Sequence, residues 1–376
     1  MRYAGTTLCT AATGLWALAM LGAIAVSDPC DQSVRPVGFA EPINPPGRVV
    51  PLVGMTLNVY HATDFQLYLE ATDRIAELGC NALQVVTPVF QRNGGSPQVE
   101  TAMGPGRGPG PEALITLLRY ARSKGLHTTL MPQVNLTEPR GNEWRGKIHP
   151  PRWAPWWQSY RRAVEHFLAV AVAADVDLFS IGCELVTTEN PQHVDQWRRI
   201  IRDCRARFEG QLTYSTVWNH YQSPGFWDQV DLIGVSGYWD LTWEAQDPHH
   251  PRPGELARCW QQIQEQLFAF VQEHGRPLLI MELGYPALPW ALKDPWNYIN
   301  SNGASPDVDA QAVGYQAFLA AWGDLLRNPD PRFGGVHFYK WDIYQRLTTD
   351  DTGYGIEGRP AYEQLSRWLT TMNSIQ

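Results

Sequence analysis

Short apolar runs rich in β-forming residues recur along the chain, and segments with apolar residues at helical spacing separate them. Eight runs predict strands, at residues 52–57, 82–86, 128–134, 178–181, 212–216, 232–235, 278–281 and 336–339. Six of the intervening segments predict helices, at residues 65–78, 111–123, 158–174, 194–208, 256–273 and 309–326. Glycine closes two of these segments, after Leu78 and after Lys124.

The alternation of strands and helices predicts a parallel sheet. Eight strand-helix units within about 320 residues favour a single-domain (β/α)8 barrel, a TIM barrel, over residues 51–372. A doubly wound open sheet is the alternative. It normally has a Gly-rich phosphate-binding turn after its first strand, and residues 54–57 (GMTL) do not form one. In a barrel the site lies where the strands end, so residues at those positions are the functional candidates.

The N-terminal segment predicts export. Residues 1–27 have the features of a signal peptide or an N-terminal anchor, because Arg2 precedes an apolar run at 15–26 that contains the small-residue motif Ala-Ile-Ala. That run is shorter than the roughly 20 residues that a membrane span needs. Residues 28–50 are rich in proline and predict a linker. We expect a secreted or periplasmic protein, with anchoring through the N-terminal segment as the alternative and the only expected membrane contact.

Composition and motifs exclude several classes of protein. A formal net charge of -8 does not provide the cationic surface that nucleic-acid binding needs, so no nucleic-acid partner is expected. The chain contains no Gly-x-Ser-x-Gly, His-Glu-x-x-His or Cys-x-x-Cys motif, and we expect neither a metal site nor a cofactor. The 16 Trp and 15 Tyr residues suit stacking on sugar rings as well as core packing.

Two glutamates stand at the ends of the fourth and seventh predicted strands. They are Glu184, in the sequence IGCEL, and Glu282, in the sequence IMELG. A retaining glycosidase needs such a pair, because one carboxyl group protonates the leaving oxygen while the other attacks the anomeric carbon. The alternative is that each glutamate pairs with an Arg or Lys and braces the rim of the barrel. Such pairing would relieve the cost of burying a carboxylate.

Further candidates follow the other strands. Tyr238, in the sequence SGYWD, could donate a hydrogen bond to the nucleophile and keep it ionised. Trp341, after the eighth strand, could form the floor of a sugar site. The remaining substrate-binding candidates are Gln133, Trp218, Asn219 and His220. Four tryptophans are expected in the loop after the third strand, as outer sugar sites or as apolar cover: Trp144, Trp153, Trp156 and Trp157.

Three stretches carry a resemblance to a known family. FSIGCELVTTE, LLIMELGYP and VHFYKWDIY resemble the clan A glycoside hydrolases and are most similar to glycoside hydrolase family 113, with a looser likeness to barrel domains of gene transfer agents. The resemblance covers about residues 50–372. It implies a (β/α)8 barrel that hydrolyses β-1,4-mannan or a related β-linked polysaccharide with retention and without a cofactor. It also implies that Glu184 is the acid/base, that Glu282 is the nucleophile, and that Tyr238 and Trp341 support them.

One residue departs from the pattern of the clan. Cys183 stands where most members have an asparagine that contacts the sugar 2-hydroxyl, and a thiol is a poor hydrogen-bonding partner. Either another residue, such as Asn219 or Gln133, replaces that contact, or recognition of the 2-hydroxyl is weaker. A second hypothesis is therefore a non-catalytic carbohydrate-binding or surface-assembly barrel. In both cases we expect a monomer whose partner is an oligo- or polysaccharide.

Overall fold

The computed structural model describes residues 51–101, 108–243, 245–247, 251–298, 303–345 and 350–374. The predicted leader and linker, residues 1–50, lie outside the described residues. Within the described part, no helix combines the length and the apolar character that crossing a bilayer requires.

Eight parallel strands close into a barrel in chain order, with the first strand paired to the eighth. The predicted (β/α)8 fold is confirmed. The strands are β1 (Leu52–Asn58), β2 (Ala82–Gln91), β3 (His127–Leu136), β4 (Leu178–Cys183), β5 (Gln211–Val217), β6 (Ile233–Ser236), β7 (Leu278–Leu283) and β8 (Phe333–Trp341). Each contains one of the predicted runs or most of it, because a strand buried on both faces is a nearly continuous apolar run.

Seven α-helices surround the barrel in the described residues. They are α1 (Phe65–Glu77), α2 (Pro111–Ser123), α3 (Trp153–Ala174), α4 (Val194–Arg205), α5 (Pro253–His274), α6 (Val308–Arg327) and α7 (Pro360–Asn373). The first six correspond to the predicted helices. Proline begins α2, α5 and α7, where its missing N–H is not needed. A short 3₁₀ turn, Trp227–Gln229, takes the place of an α-helix between β5 and β6.

The tryptophans after β3 do not lie in a single loop as predicted, because α3 begins at Trp153. Trp156 and Trp157 are buried on this helix. Trp156 stacks on Tyr160 with ring centroids 4.9 Å apart, and Trp157 meets Trp197 of α4 edge to face at 5.3 Å. These rings join two helices of the outer layer, and their role is therefore apolar packing.

The interior of the barrel is filled by side chains from several strands. An apolar cluster combines Val86, Met131, Leu178, Cys183, Leu232, Leu279 and Met281. Beside it, His337 is fully buried, with its Nε2 3.4 Å from the hydroxyl of Thr129. The barrel is thus a packed core rather than a channel, and the polar groups of a site must lie at its carboxyl end.

Candidate active site

The two predicted glutamates lie at the carboxyl ends of β4 and β7, and both are almost fully buried. Glu184 is 6% exposed and Glu282 is 4% exposed. Glu184 directly follows β4 and has a left-handed backbone with φ +54°, which is uncommon for a residue other than glycine. Its N–H donates to the carbonyl oxygen of Ser215 at 2.7 Å. Neighbouring strand β5 therefore fixes the point at which β4 turns into the site.

An arginine that sequence reasoning missed contacts Glu184. Nη1 of Arg145 lies 2.7 Å from Oε2 of Glu184. The same guanidinium donates from Nε to the carbonyl oxygen of Val134 at 3.0 Å and from Nη2 to Oδ1 of Asn135 at 3.4 Å. Arg145 lies in a 3₁₀ turn after β3, and these two bonds tether it to the end of that strand. The alternative interpretation, in which each glutamate pairs with an Arg or Lys, therefore holds in part, because Glu184 has an arginine partner.

Glu282 has a different environment. The hydroxyl of Tyr238 donates to its Oε2 at 2.7 Å, and its Oε1 is buried with no hydrogen-bond partner in the described residues. Burial and the nearby charge of Glu184 raise the pKa of Glu282 to about 8, against the opposing effects of Tyr238, Arg145 and Lys340. The hydrogen bond expected from Tyr238 is present. That bond lowers the pKa of Glu282, but burial and the like charge of Glu184 have the larger and opposite effect.

Aromatic side chains from three other segments surround Tyr238. Its ring lies 6.3 Å from Tyr339 of β8, 6.2 Å from Tyr354 and 6.2 Å from Trp218, measured between centroids. Asn58 donates to the hydroxyl of Tyr339 at 3.0 Å. The structure therefore brings the predicted Trp218 into contact with Tyr238, and it adds two tyrosines that were not candidates.

Trp341 lies elsewhere. Its ring is 5.6 Å from the guanidinium of Arg74 on α1 and 6.4 Å from the ring of Tyr362 on α7. It packs between the barrel and its helices, so its position does not support the predicted role as floor of a sugar site. The pairing of β1 with β8 is irregular between Met55 and Leu57, opposite this end of β8. Such an irregularity changes the face of the sheet on which the following side chains lie.

Gln133 lies beside the cysteine that departs from the family pattern. Its Nε2 is 3.5 Å from Sγ of Cys183, and its Oε1 accepts a 2.8 Å hydrogen bond from the hydroxyl of Tyr60. The bond from Tyr60 orients the amide so that its NH2 group faces Cys183. Burial and the charges of Glu184 and Glu282 raise the pKa of Cys183, which is therefore a neutral thiol.

The two candidates after β5 are more exposed than the two glutamates. Asn219 is exposed and His220 is half-buried. The N–H of His220 donates to the carbonyl oxygen of Val217 at 3.0 Å, which is a local turn bond. Among the described residues, no group of three or more His, Cys, Asp or Glu side chains is arranged to hold a metal ion.

Comparison with protein families decides the assignment. The model of Glycoside Hydrolase Family 113 matches residues 68–359, more than half of the chain. The chain belongs to glycoside hydrolase family 113. The resemblance seen in the three sequence stretches is thereby confirmed, and the protein is a glycoside hydrolase.

Solved structures of family 113 share this fold. One is the β-mannanase AaManA from Alicyclobacillus acidocaldarius in complex with ManMIm. It is 25% identical, has a TM-score of 0.73, and the match covers 86% of this chain and 98% of that one. A second family-113 β-1,4-mannanase, determined as a complex, is 22% identical with a TM-score of 0.73, over 85% and 99% of the two chains. A search of curated proteins found no match.

A less similar solved structure also has this barrel fold. A GH5_18 protein from Streptomyces cattleya, in complex with Manb1-4GlcNAc, is 15% identical with a TM-score of 0.56. The match covers 87% of this chain and 82% of the Streptomyces chain. At this identity the similarity shows a common barrel architecture alone.

Proposed function

We propose that this family-113 enzyme hydrolyses β-1,4-mannan or a related β-linked polysaccharide with retention of configuration. The observation that carries the proposal is the placement of two buried carboxyl groups, Glu184 and Glu282, at the ends of β4 and β7. They are close enough for the charge of Glu184 to raise the pKa of Glu282. The family-113 structures named above are β-mannanases, which supports mannan as the first substrate to test.

In the proposed mechanism Glu282 is the nucleophile. Its Oε1 has no hydrogen-bond partner in the described residues and can form the bond to the anomeric carbon, whereas Oε2 is held by Tyr238. Glu184 donates its proton to the glycosidic oxygen as that bond breaks. It then removes a proton from the water that hydrolyses the glycosyl-enzyme intermediate. The hydrogen bond from Tyr238 and the charges of Arg145 and Lys340 favour the ionised nucleophile.

Gln133 is the residue that we propose to replace the missing asparagine. Its NH2 group lies 3.5 Å from the sulfur of Cys183, the position from which the clan contacts the sugar 2-hydroxyl. Tyr60 fixes the orientation of this amide. An amide held in this way can donate a hydrogen bond that the thiol would make poorly.

A panel of β-linked polysaccharides tests the substrate and the retention of configuration. Mannan, glucomannan, xylan and cellulose are incubated with the full-length chain, with Glu282→Ala and with Glu184→Gln. Products are separated by chromatography, and their first-formed anomer is determined by NMR. We expect β-configured oligosaccharides from mannan or glucomannan and none from Glu282→Ala. Release of product from xylan or cellulose but not from mannan or glucomannan, or α-configured first products, would overturn the proposal.

We further propose that the enzyme acts outside the cytoplasm, as a secreted or periplasmic protein or one anchored by residues 1–27. The apolar run at 15–26 behind Arg2 supports this location. Fractionation of producing cells, with N-terminal sequencing of the protein recovered, tests it. Recovery of the intact chain in the cytoplasmic fraction would contradict it.

A further inference from the structure

Strand β7 departs from regular pairing directly before Glu282. Its register with β6 passes from Ile280 to Glu282, and its register with β8 passes from Ile280 to Leu283. Among the residues that the structure describes on β6 and β8, none is the register partner of Met281. The main chain at Met281 therefore needs a hydrogen-bond partner from outside the regular ladder.

The irregularity changes the direction of the side chains that follow it. Leu279 and Met281 pack in the apolar cluster inside the barrel, as the two-residue alternation of a strand requires. On a regular strand Leu283 would follow them, but it packs in the apolar cluster that the strands share with the outer helices. The alternation thus slips by one residue at Glu282. A slip of this kind next to an active site re-aims a side chain.

A glutamine from another part of the barrel binds the carbonyl group of Met281. Nε2 of Gln84, on β2, donates to this carbonyl oxygen at 2.9 Å and to Oγ1 of Thr56, on β1, at 3.0 Å. Gln84 and Thr56 are both fully buried. Because β1 and β8 separate β2 from β7 in the closed barrel, the bond to Met281 crosses the interior rather than joining neighbouring strands.

We propose that Gln84 is a positioning residue that fixes the direction of Glu282 by binding the carbonyl oxygen of Met281, with Thr56 holding the amide in place. That carbonyl belongs to the planar peptide group that also contains the nitrogen of Glu282, so its orientation fixes the main chain from which the carboxylate projects. The proposal rests on the function proposed above, because it gives Gln84 a task only if Glu282 is the nucleophile. Gln84 is buried below the site and acts through the main chain.

Stability alone does not account for a glutamine at this position. Oε1 of Gln84 is buried and has no hydrogen-bond partner in the part of the chain that the structure describes. A buried polar atom without a partner costs free energy. Val86, two residues further along β2, belongs to the apolar cluster inside the barrel. An apolar side chain in place of Gln84 would avoid the cost, but it would lack the donor that holds Met281.

Strand β4 is also irregular directly before its glutamate, between Ser180 and Cys183. There the hydroxyl of Ser180 donates to the carbonyl oxygen of Gly182 at 2.8 Å. On β4 the side chain that binds the irregular main chain comes from the same strand, whereas on β7 it comes from across the barrel. A substitution at Gln84 therefore alters the support of Glu282 without removing the contact made by Ser180.

Steady-state kinetics on a polysaccharide that the enzyme cleaves give the first test. Gln84→Met keeps the length of the side chain and removes both hydrogen bonds. We expect kcat to fall roughly 10- to 100-fold, since a displacement of about 1 Å at a reacting group has an effect of this size. KM should stay within about 2-fold of wild type, because loss of an interaction that acts on the reacting group lowers kcat and kcat/KM equally. Thr56→Val should lower kcat by a smaller factor.

Gln91→Met is the matched control. Gln91 lies on the same strand, is also buried, and donates from Nε2 to the carbonyl oxygen of Asn93 at 2.8 Å. The same substitution removes the same kind of bond from a carbonyl that is not next to Glu282, so kcat should remain at the wild-type value. Thermal unfolding shows that each variant is folded at the assay temperature. Equal falls in kcat for Gln84→Met and Gln91→Met, or a fall in neither, would overturn the proposal.

The second test requires no catalytic activity. Crystal structures of the substrate-free wild type and of the three variants show where the carboxyl group of Glu282 lies. Oη of Tyr238 and Oε2 of Glu282 are 2.7 Å apart in the wild type. We expect them to be more than ~3.5 Å apart in Gln84→Met, too far for a hydrogen bond, and unchanged in Gln91→Met. A carboxyl group that keeps its position and this bond in Gln84→Met overturns the proposal.

Thr56→Val keeps both tests decisive if Gln84→Met does not fold. It removes only the hydroxyl that holds the amide of Gln84, and wild-type kcat together with an unmoved Glu282 in this variant would then overturn the proposal.

The two tests also separate this inference from the proposed function. If no polysaccharide is cleaved but Glu282 moves in Gln84→Met, the proposed function fails and the positioning role of Gln84 stands. If β-configured products are released and Gln84→Met changes neither kcat nor the position of Glu282, the proposed function stands and the inference about Gln84 is wrong.

Discussion

The hydroxyl of Tyr238 donates a 2.7 Å hydrogen bond to Oε2 of Glu282 and leaves Oε1 of the same carboxyl group buried and without a hydrogen-bond partner in the described residues. The two carboxyl oxygens of Glu282 therefore differ in their hydrogen bonding. Oε2 is held in place by Tyr238, and Oε1 has no hydrogen-bond donor in the part of the chain that the structure describes. Such asymmetry suits a nucleophile, because the bond to carbon forms at one oxygen while the other remains oriented.

Tyr238→Phe removes the hydrogen bond that favours the charged form of Glu282. The pKa of Glu282 should rise further, so the acidic limb of the kcat/KM profile moves to higher pH. Since a hydrogen bond to a charged group contributes about 1.5–3 kcal/mol, we expect kcat to fall roughly 10- to 100-fold. Steady-state kinetics from pH 4 to 9 measure both effects.

Tyr120→Phe is the control for this variant, because Tyr120 makes a similar bond to Asp73 on the outer helices. Its profile should match that of the wild type. An unchanged acidic limb in Tyr238→Phe would show that the hydrogen bond does not set the ionisation of Glu282.

Glu282→Gln should abolish hydrolysis and stabilise the fold at alkaline pH. The folded-state pKa of Glu282 is raised to about 8, so its stabilising contribution is complete below the unfolded pKa of about 4.3 and is lost as pH rises towards 8. An amide does not ionise and avoids this loss. We expect the free energy of unfolding of the variant, relative to wild type, to increase by at least ~1 kcal/mol between pH 4 and pH 8. Urea titrations at both pH values test this, and an equal difference at the two would contradict it.

A second buried carboxyl group supports the backbone beside Glu184. Oε1 of Glu189 accepts hydrogen bonds from the hydroxyls of Tyr214 at 2.8 Å and Thr216 at 2.9 Å. The hydroxyl of Tyr214 in turn accepts from the N–H of Leu185 at 2.9 Å. Tyr214 thus holds the residue that follows Glu184, whose own backbone is left-handed.

Tyr214→Phe should therefore destabilise the fold and misplace the acid. It leaves the buried N–H of Leu185 without an acceptor, which costs about 1–3 kcal/mol. We expect kcat to fall more than KM rises, since Glu184 is displaced while the rest of the sugar site is intact. Tyr221→Phe on the same side of the barrel is the control. Equal changes in kcat and KM at a temperature where the variant is folded would argue against a positioning role.

Exposed aromatic side chains gather in loops that follow the strands. Those of the described residues are Trp144, Trp243, Trp296, Tyr298 and Tyr344. All lie in segments after β3, β6, β7 or β8, on the side where the strands end. Because flat rings stack on sugars, we expect alanine at Trp243 or Trp296 to raise KM for a polysaccharide about 2- to 10-fold. A disaccharide substrate should be affected much less, and Val172→Ala on the exposed face of α3 should change neither value.

Gln133 can be tested with a substrate that lacks the group it is proposed to contact. Gln133→Leu should lower kcat/KM for a mannoside about 10-fold or more, the loss of one hydrogen bond in the site. The same variant should differ little from wild type on the 2-deoxy analogue. Equal losses on both substrates would show that Gln133 acts on something other than the 2-hydroxyl.

The local sequence predicted the elements of the fold well, with one omission. Helix α7 was missed although Pro360 stands at its first position and its buried residues recur at helical spacing, namely Ala361, Leu365, Leu369 and Met372. These signals were present in the chain. The start of α3 was misplaced for a different reason, because bulky aromatic residues resemble loop cover as readily as they resemble the buried face of a helix.

The contacts between residues of the site could not be predicted from the local sequence. Arg145 and Glu184 are separated by 39 residues, and Tyr339 and Asn58 by 281. No local pattern states which of the 30 Lys and Arg residues reaches a given carboxylate. The side on which Trp341 lies also depends on how β8 pairs with β1, which strand alternation within β8 does not contain.

The sequence by itself determined the barrel and the two glutamates at its mouth. Apolar runs are buried wherever they pair, and a carboxyl group at the end of such a run must emerge at the end of a strand. Tertiary structure alone decided what each glutamate meets there: an arginine for Glu184, a tyrosine and an unpartnered oxygen for Glu282 among the described residues. The reason is physical. Burial and pairwise charge set the protonation of a site, and both depend on distances between residues that the chain brings together only when the barrel closes.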